Sequence, residues 1–375
     1  MTRKRDGFKK AGDILQNITS FSIAPRETPS ALEVPTPSDP EFGNAQLSLF
    51  QNFICNTDEE RQRFSNAIDL WDSVPRYSVN RHAMTKARAN EKFLDNYQIT
   101  FHYRGRTYTS TISPARVTDL DGKVRDFYPS ATEELVEDAL RKLAIEQQAG
   151  FFDKPNYRSG VVFSIYALRE ELQKRGHSRS YQEVRLALDI LSGSIIEIAS
   201  QDEEKGEVLV KAPYFPSLVA ASRSRLRDDP KAKWAVQFHP LVTGSIDKVT
   251  YRQFNYHLMM SHSTQLARWL HKQLVLKFTF ADHLKPFEMR YSTIKRDSGL
   301  LAGYSREREA IEALGAAFDE LKQRDILSSY ERKDVIGRRK KILDCAFTIW
   351  PSFDFIREAK AANKRLLVAN KNNLR

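Results

Sequence analysis

The chain has 375 residues, enough for two or three domains with separate cores. Hydrophobic residues make up 41% and charged residues 29%, and 59 Lys and Arg against 48 Asp and Glu leave a formal net charge of +11. That surplus favours a polyanionic partner, nucleic acid before membrane, and no apolar run approaches the ~20 residues of a membrane-spanning helix.

The start, MTRKRDGFKK, is basic but has no apolar segment behind it, so a secretory signal is not expected. Cys55 and Cys345 lie far apart without metal-ligand spacing, which fits free thiols in a reducing, cytoplasmic setting. The leader to about residue 45 combines charge, Ser, Thr and Pro with few apolar residues and reads as disordered; five of the fifteen prolines fall between Pro25 and Pro40. It ends in NAQLSLF, where Leu47, Leu49 and Phe50 either pack on the chain's own first domain or form a short docking peptide. The flexible leader is taken as residues 1–66.

Ile68, Leu70 and Trp71 begin a helical stretch that turns basic through Arg76, Arg81, Lys86 and Arg88. YQITFHYRGRTYTSTI, Tyr97 to Ile112, is a hairpin signal, with Gly105 able to supply a positive φ. Ser130 to Gln148 reads as a helix, with Leu135, Ala139 and Leu143 on one stripe and Glu133 and Glu134 near its start. A strand at Val161 to Phe163, a helix from Tyr166 to Lys174 and a stop at Gly176 follow. Ser180 and Glu183 form a capping box for a second helix with Val184, Leu188 and Leu191 on its core face. Strands at Ile195 to Ile198 and Val208 to Tyr214 complete the order helix, turn, helix, ribbon.

The order recurs. Thr250 to Phe278 is read as a long helical region, Phe287 to Lys295 as a short helix or turn, and Ser305 as the N-cap of a helix with Ile311, Leu314, Phe318 and Leu321 inward. Strands at Ile326 to Arg332 and Ile342 to Trp350 flank a basic tip, and a last helix runs from Ser352 to about Leu367. Phe163 and Ser180 are separated by 17 positions, Phe287 and Ser305 by 18. The expected fold is α+β, two tandem winged-helix domains at 67–215 and 248–375, joined by a linker at 216–247.

A helix-turn-helix offers the N-terminal part of its second helix to the major groove. Opposite the apolar stripe of the Ser305 helix lie Arg306, Glu309, Ala313 and Ala316; Arg306 suits guanine, Glu309 cytosine, and Arg308 a phosphate. The same interleaved charges also suit an ordinary surface helix. Arg338, Arg339, Lys340 and Lys341 form a tip suited to the DNA backbone or a minor groove, although a charge run taken alone is usually a solvated face. In the first module Arg179, Ser180, Gln182 and Arg185 hold the outward positions, where dimerisation is an equal alternative.

No phosphate-binding GxxxxGK[ST], no GxSxG and no His-hydrophobe-His pair occurs, and the histidines are scattered. No catalytic residue, cofactor or metal is expected, and the chain is not expected to be an enzyme.

SIYALREELQKRG with SYQEVRLALDILSGSIIEI, and YRQFNYHLMMSHSTQLARWLHKQL with ILDCAFTIWPSFDF, resemble plasmid replication initiators that bind iterons through two winged helices. Gln46-Leu47-Ser48-Leu49-Phe50 resembles the bacterial sliding-clamp-binding peptide carried by initiators of the TrfA type. The resemblance implies binding of direct repeats in double-stranded origin DNA, opening of an A·T-rich segment with contacts to single strands, and recruitment of the host clamp, helicase and initiator. It implies a monomer–dimer equilibrium, with the first module as the dimerisation element. A winged-helix transcriptional repressor and a nicking replication enzyme are the alternatives.

Overall fold

The computed structural model describes residues 63–91, 93–146, 149–202, 206–221, 232–337 and 342–373. Residues 1–62, with Gln46, Leu47, Leu49 and Phe50, lie outside them, as do the tip residues Arg338, Arg339, Lys340 and Lys341; the last residues expected of the leader, 64–66, belong instead to the first strand of the fold.

The architecture is α+β, with two winged-helix modules built around separate cores. The first module begins with β1 (Phe64–Ile68), a short 3-10 turn (Trp71–Ser73) and α1 (Arg81–Glu91). The hairpin β2 (Tyr97–Tyr103) and β3 (Arg106–Ser113) closes through Arg104 and Gly105, both at positive φ, as a two-residue hairpin turn requires. A second hairpin, β4 (Ala115–Thr118) and β5 (Val124–Phe127), leads into α2 (Ala131–Glu146).

After β6 (Gly150–Asp153) and β7 (Arg158–Phe163) comes the helix pair. Ser164 caps α3 (Ile165–Lys174), and the capping box of Ser180 and Glu183 opens α4 (Tyr181–Gly193). The ribbon β8 (Ile195–Asp202) and β9 (Gly206–Pro213) extends into a four-stranded sheet, β2-β3-β8-β9.

The segment 216–247, expected to be a linker, is built into the first module. It contains β10 (Ser217–Ala221), β11 (Lys233–Gln237) and α5 (Pro240–Asp247). Trp234 pairs with Phe163 and Val236 with Val161, giving a sheet β10-β11-β7-β6. Trp234, Val236 and Phe238 alternate into the core as a half-buried strand demands.

The boundary at 248 also shifts. The expected long helix from Thr250 is a strand β12 (Tyr251–Asn255), a short α6 (Tyr256–Met260) and α7 (Gln265–Lys277). Because β12 pairs antiparallel with β1, and Phe254, Tyr256, Met259 and Met260 join the first core, the chain returns to the first module before leaving it. The second core starts at Leu266.

The second module follows as α7, β13 (Phe287–Arg290), α8 (Tyr291–Ser298), α9 (Glu307–Gln323), β14 (Leu327–Ile336) and β15 (Ile342–Pro351). Its three strands are ordered β13-β15-β14, and α10 (Phe353–Asn373) follows. Here the strand before the helix pair joins the ribbon; in the first module β7 pairs with β6 and β11 instead.

A buried ionic cluster ties the modules together. α2 is covered on nearly every side, so its charged residues need partners in the protein. Arg141 bonds both carboxylate oxygens of Asp72 at 2.8 and 2.9 Å, and Arg76 bridges Asp72 and Glu137 at 2.9 and 3.0 Å. From α7, Lys272 reaches Asp138 at 2.6 Å and Glu134 at 3.2 Å. Gln265 bonds Glu134 and the Tyr77 carbonyl, and Gln273 bonds the Asp72 carbonyl. Burial alone raises the Glu137 carboxyl, but Arg76 and Arg141 outweigh it and hold the group down to about 2. All four carboxylates of the cluster face at least one of the three cations.

Candidate nucleic-acid interface

The helix pair α8 and α9 is joined by a turn that starts at Gly299, which adopts φ +66 in the left-handed region. Leu301 is buried and pins the turn, while residues 302–308 are exposed. Ser305 is not the N-cap. The chain stays extended through Arg306, which takes the cap position without a side-chain cap bond, and the helix starts at Glu307.

The buried stripe of α9 is Ala310, Ile311, Leu314, Ala317, Phe318 and Leu321, spaced as a single helical face. The remaining surface is uncovered: Arg308, Glu312, Ala316, Asp319 and Lys322 are exposed along four turns. A Cβ built on Gly315 meets nothing within 4 Å, so the helix surface is open at that point.

α9 carries five acids, which would repel a polyanion unless they are held elsewhere. Three are. Glu307 accepts bonds from Tyr291 and Lys295 on α8. Asp319 accepts from the Tyr330 hydroxyl at 2.7 Å. Glu320 accepts from the Ser263 amide and the Thr264 hydroxyl, just ahead of α7. The other two lie beside the cations of the exposed end: Arg306 is 3.6 Å from Glu309, and Arg308 bonds Glu312 at 2.8 Å. The two arginine side chains are 80% and 87% exposed. Pairs so exposed contribute ~0.2–1 kcal/mol and exchange readily for a stronger anion.

The first module's second helix is not equivalent. Val184, Leu188 and Leu191 face the core, and Leu186, Ala187 and Ile190 are buried too. Leu186, Ile190 and Gly193 share a stripe by their spacing, and a Cβ on Gly193 would stand 3.0 Å from the Ala115 Cβ. The β4–β5 hairpin therefore covers one flank of α4. What remains open is the first turn, with Ser180 and Gln182 exposed and Arg179 and Arg185 half-buried. The Ser180 hydroxyl is engaged in its cap, and the Arg179 guanidinium bonds the Ser178 carbonyl at 2.8 Å.

The structure thus brings Ser305, Arg306, Arg308 and Glu309 to one exposed end, and places Arg179, Ser180, Gln182 and Arg185 at a separate helix start. Among the described residues no three His, Cys, Asp or Glu side chains converge as a metal site, and no helix is long and apolar enough to cross a membrane. The buried histidines among the described residues pair with each other or the core: His262 and His271 are 3.1 Å apart, and His239 stacks on Trp71.

No protein-family model matches the chain, and no curated protein matches it. Among solved structures it is similar to domains 2 and 3 of RctB, with 11% identity and a TM-score of 0.44 over 70% of this chain and 92% of that one. A second crystal structure of RctB domains 2-3 gives 12% identity and a TM-score of 0.41 over 72% and 95%. The chain is also similar to the Pi initiator protein, solved in complex with iteron DNA, with 12% identity and a TM-score of 0.31 over 78% and 99%.

Proposed function

We propose that the chain is a plasmid replication initiator that binds directly repeated double-stranded sites at an origin. The observation that carries the reading is the uncovered face of α9, with Arg306 and Arg308 held only by exposed ion pairs while three of its five acids are engaged by the protein. In this reading α9 enters a major groove, Arg306 reads a base edge, and the β14–β15 wing with its Arg338 to Lys341 tip follows the backbone. The first module contributes the open turn of α4 and a dimerisation surface.

The peptide Gln46 to Phe50 favours an initiator over a transcriptional repressor, since a repressor has no use for a polymerase clamp. Clamp binding, opening of an A·T-rich segment, contact with single strands, and recruitment of helicase and host initiator belong to the same proposal. No catalytic step is assigned to the chain.

The test is selection of bound duplexes from a random pool, followed by titration of the parent and Arg306→Ala. Recovery of one repeated sequence, with a loss of ~1–3 kcal/mol in the variant at one base position, supports the reading. Recovery of no preferred sequence overturns it.

A further inference from the structure

α1 is exposed to a degree that its role as a packed element does not explain. Of its first nine side chains only Met84 is buried. Its inner stripe is held by Arg81 and Arg88, whose guanidinium groups both lie 4.7 Å from the Phe127 ring centre. Arg81 also pairs with Glu133 at 2.7 Å, and Arg88 bonds the Asp126 carbonyl at 2.6 Å. These two cations are seven positions apart and face the protein.

The outer side is different. His82 and Lys86 are four apart, as are Ala83 and Ala87, and all four are exposed. No acid occurs in the helix before Glu91. A solvated surface helix usually mixes both signs; this one presents a cation flanked by small side chains, over ~16 Å of helix.

Its position adds a second observation. Asn80 caps α1 by accepting from the Ala83 amide at 2.8 Å. A Cβ on Gly303 would lie 3.9 Å from the Asn80 side-chain nitrogen, and one on Gly299 would lie 2.7 Å from the Ser78 Cβ. The turn that leads into α9 is therefore seated on the residues that lead into α1. Gly303 precedes Arg306 by three positions, at most ~11 Å of chain. The start of α1 therefore lies within one short stretch of chain of the exposed start of α9.

We infer that α1 is a second duplex-contacting element, which lies along the sugar-phosphate backbone beside the site reached by α9, with Lys86 on a phosphate and Ala83 and Ala87 permitting close approach. This rests on the proposed function, because the ligand is the same duplex. Small outer residues would let a helix backbone approach a strand whose phosphates repeat every ~3.4 Å of axis, and a single cation there acts on all sequences alike.

The full chain is titrated with the selected duplex and with a random-sequence duplex at several salt concentrations. Lys86→Ala is expected to weaken both by a similar factor and to lower the salt slope by about one. Ala87→Glu, an exposed change to a good helix former, is expected to weaken both at least tenfold while circular dichroism and melting stay as in the parent. Arg306→Ala serves as the comparison and affects the selected duplex more than the random one. If both α1 variants bind like the parent while Arg306→Ala is impaired, α1 is not a duplex element, and a surface for an acidic protein becomes its reading. If the parent binds neither duplex, the proposed function itself fails.

Discussion

Lys272 of α7 and Asp138 of α2 form a 2.6 Å ion pair, almost fully buried, that joins a central helix of the first winged module to the first helix of the second. Burial alone would depress the lysine, yet Asp138, Glu134 and Asp72 outweigh it and hold its pKa above the usual ammonium value. Lys272→Met leaves carboxylates buried against fewer cations. It is expected to cost ~3–5 kcal/mol, the range for breaking a buried pair from one side. Urea unfolding measures it. A double variant with Asp138→Leu should be less destabilised than the two single losses added together; full additivity would show that the pair is not coupled.

Gly299 reports on the seat of the α8–α9 turn. Its φ of +66 is costly for any side chain, and a Cβ there would fall 2.6 Å from the Ile99 Cδ1 and 2.7 Å from the Ser78 Cβ. Gly299→Ala should lower stability by ~1–2 kcal/mol from the backbone alone, with more from the contacts. Because those contacts belong to the first module, Gly299→Ala should also weaken duplex binding beyond what its stability loss explains. Adding Ile99→Ala should restore part of the stability. A melting temperature unchanged in Gly299→Ala would contradict the seating.

Much of the second module is legible because its pattern is local. Ile311, Leu314, Phe318 and Leu321 announce one face of α9, and all four are buried. The cap is displaced by one residue because Arg306 continues the extended chain, which no spacing rule detects. The segment 216–247 reads as a linker because the charged run at 222–231 separates two strands of only five residues each; the alternation of Trp234, Val236 and Phe238 was the available signal. Glu134 and Asp138 look like helix-surface acids in sequence because their partner Lys272 is more than 130 positions away. The cover over α4 has the same character, since Ala115 reaches Gly193 only through the tertiary fold.

Stability should fall in acid, in two overlapping windows. Burial pushes the His239 imidazole down to about 3, and burial pushes His262 down to about 4 against the opposing pull of Glu320. Both are neutral in the folded chain, so below the ordinary value of 6.5 the unfolded chain takes up protons that the folded chain does not. Stability is therefore lost as pH falls from 6.5 towards 4, at up to ~1.4 kcal/mol per pH unit for each such group. Glu137, held at about 2, adds a loss that begins near 4.5 and continues down to about 2. His262→Asn should flatten the dependence between pH 6.5 and 4 and leave the lower window intact. An unaltered slope in that variant would mean that His262 does not titrate differently on folding.

Leu49→Ala with Phe50→Ala separates two readings of the peptide that precedes the described residues. Docking into a clamp buries apolar side chains worth ~1.5–3 kcal/mol each before the cost of ordering the peptide. The double variant should then lose capture by purified sliding clamp while keeping its melting temperature and duplex affinity. A fall in melting temperature with capture retained would instead assign the two side chains to the chain's own core.

The unequal exposure of the two second helices makes the last prediction. α9 leaves four turns open, whereas the β4–β5 hairpin covers one flank of α4 and leaves only its start. A helix so covered reaches a backbone with its first turn more readily than it reads successive base pairs. Gln182→Ala with Arg185→Ala should therefore weaken all duplexes by a similar factor and leave the selected sequence unchanged. Arg306→Ala should relax one position of that sequence while random-sequence binding stays within about twofold of the parent. Repeating the duplex selection with each variant distinguishes them. A shifted base preference in the α4 variant would mean that the hairpin does not limit the helix, and that both modules read sequence.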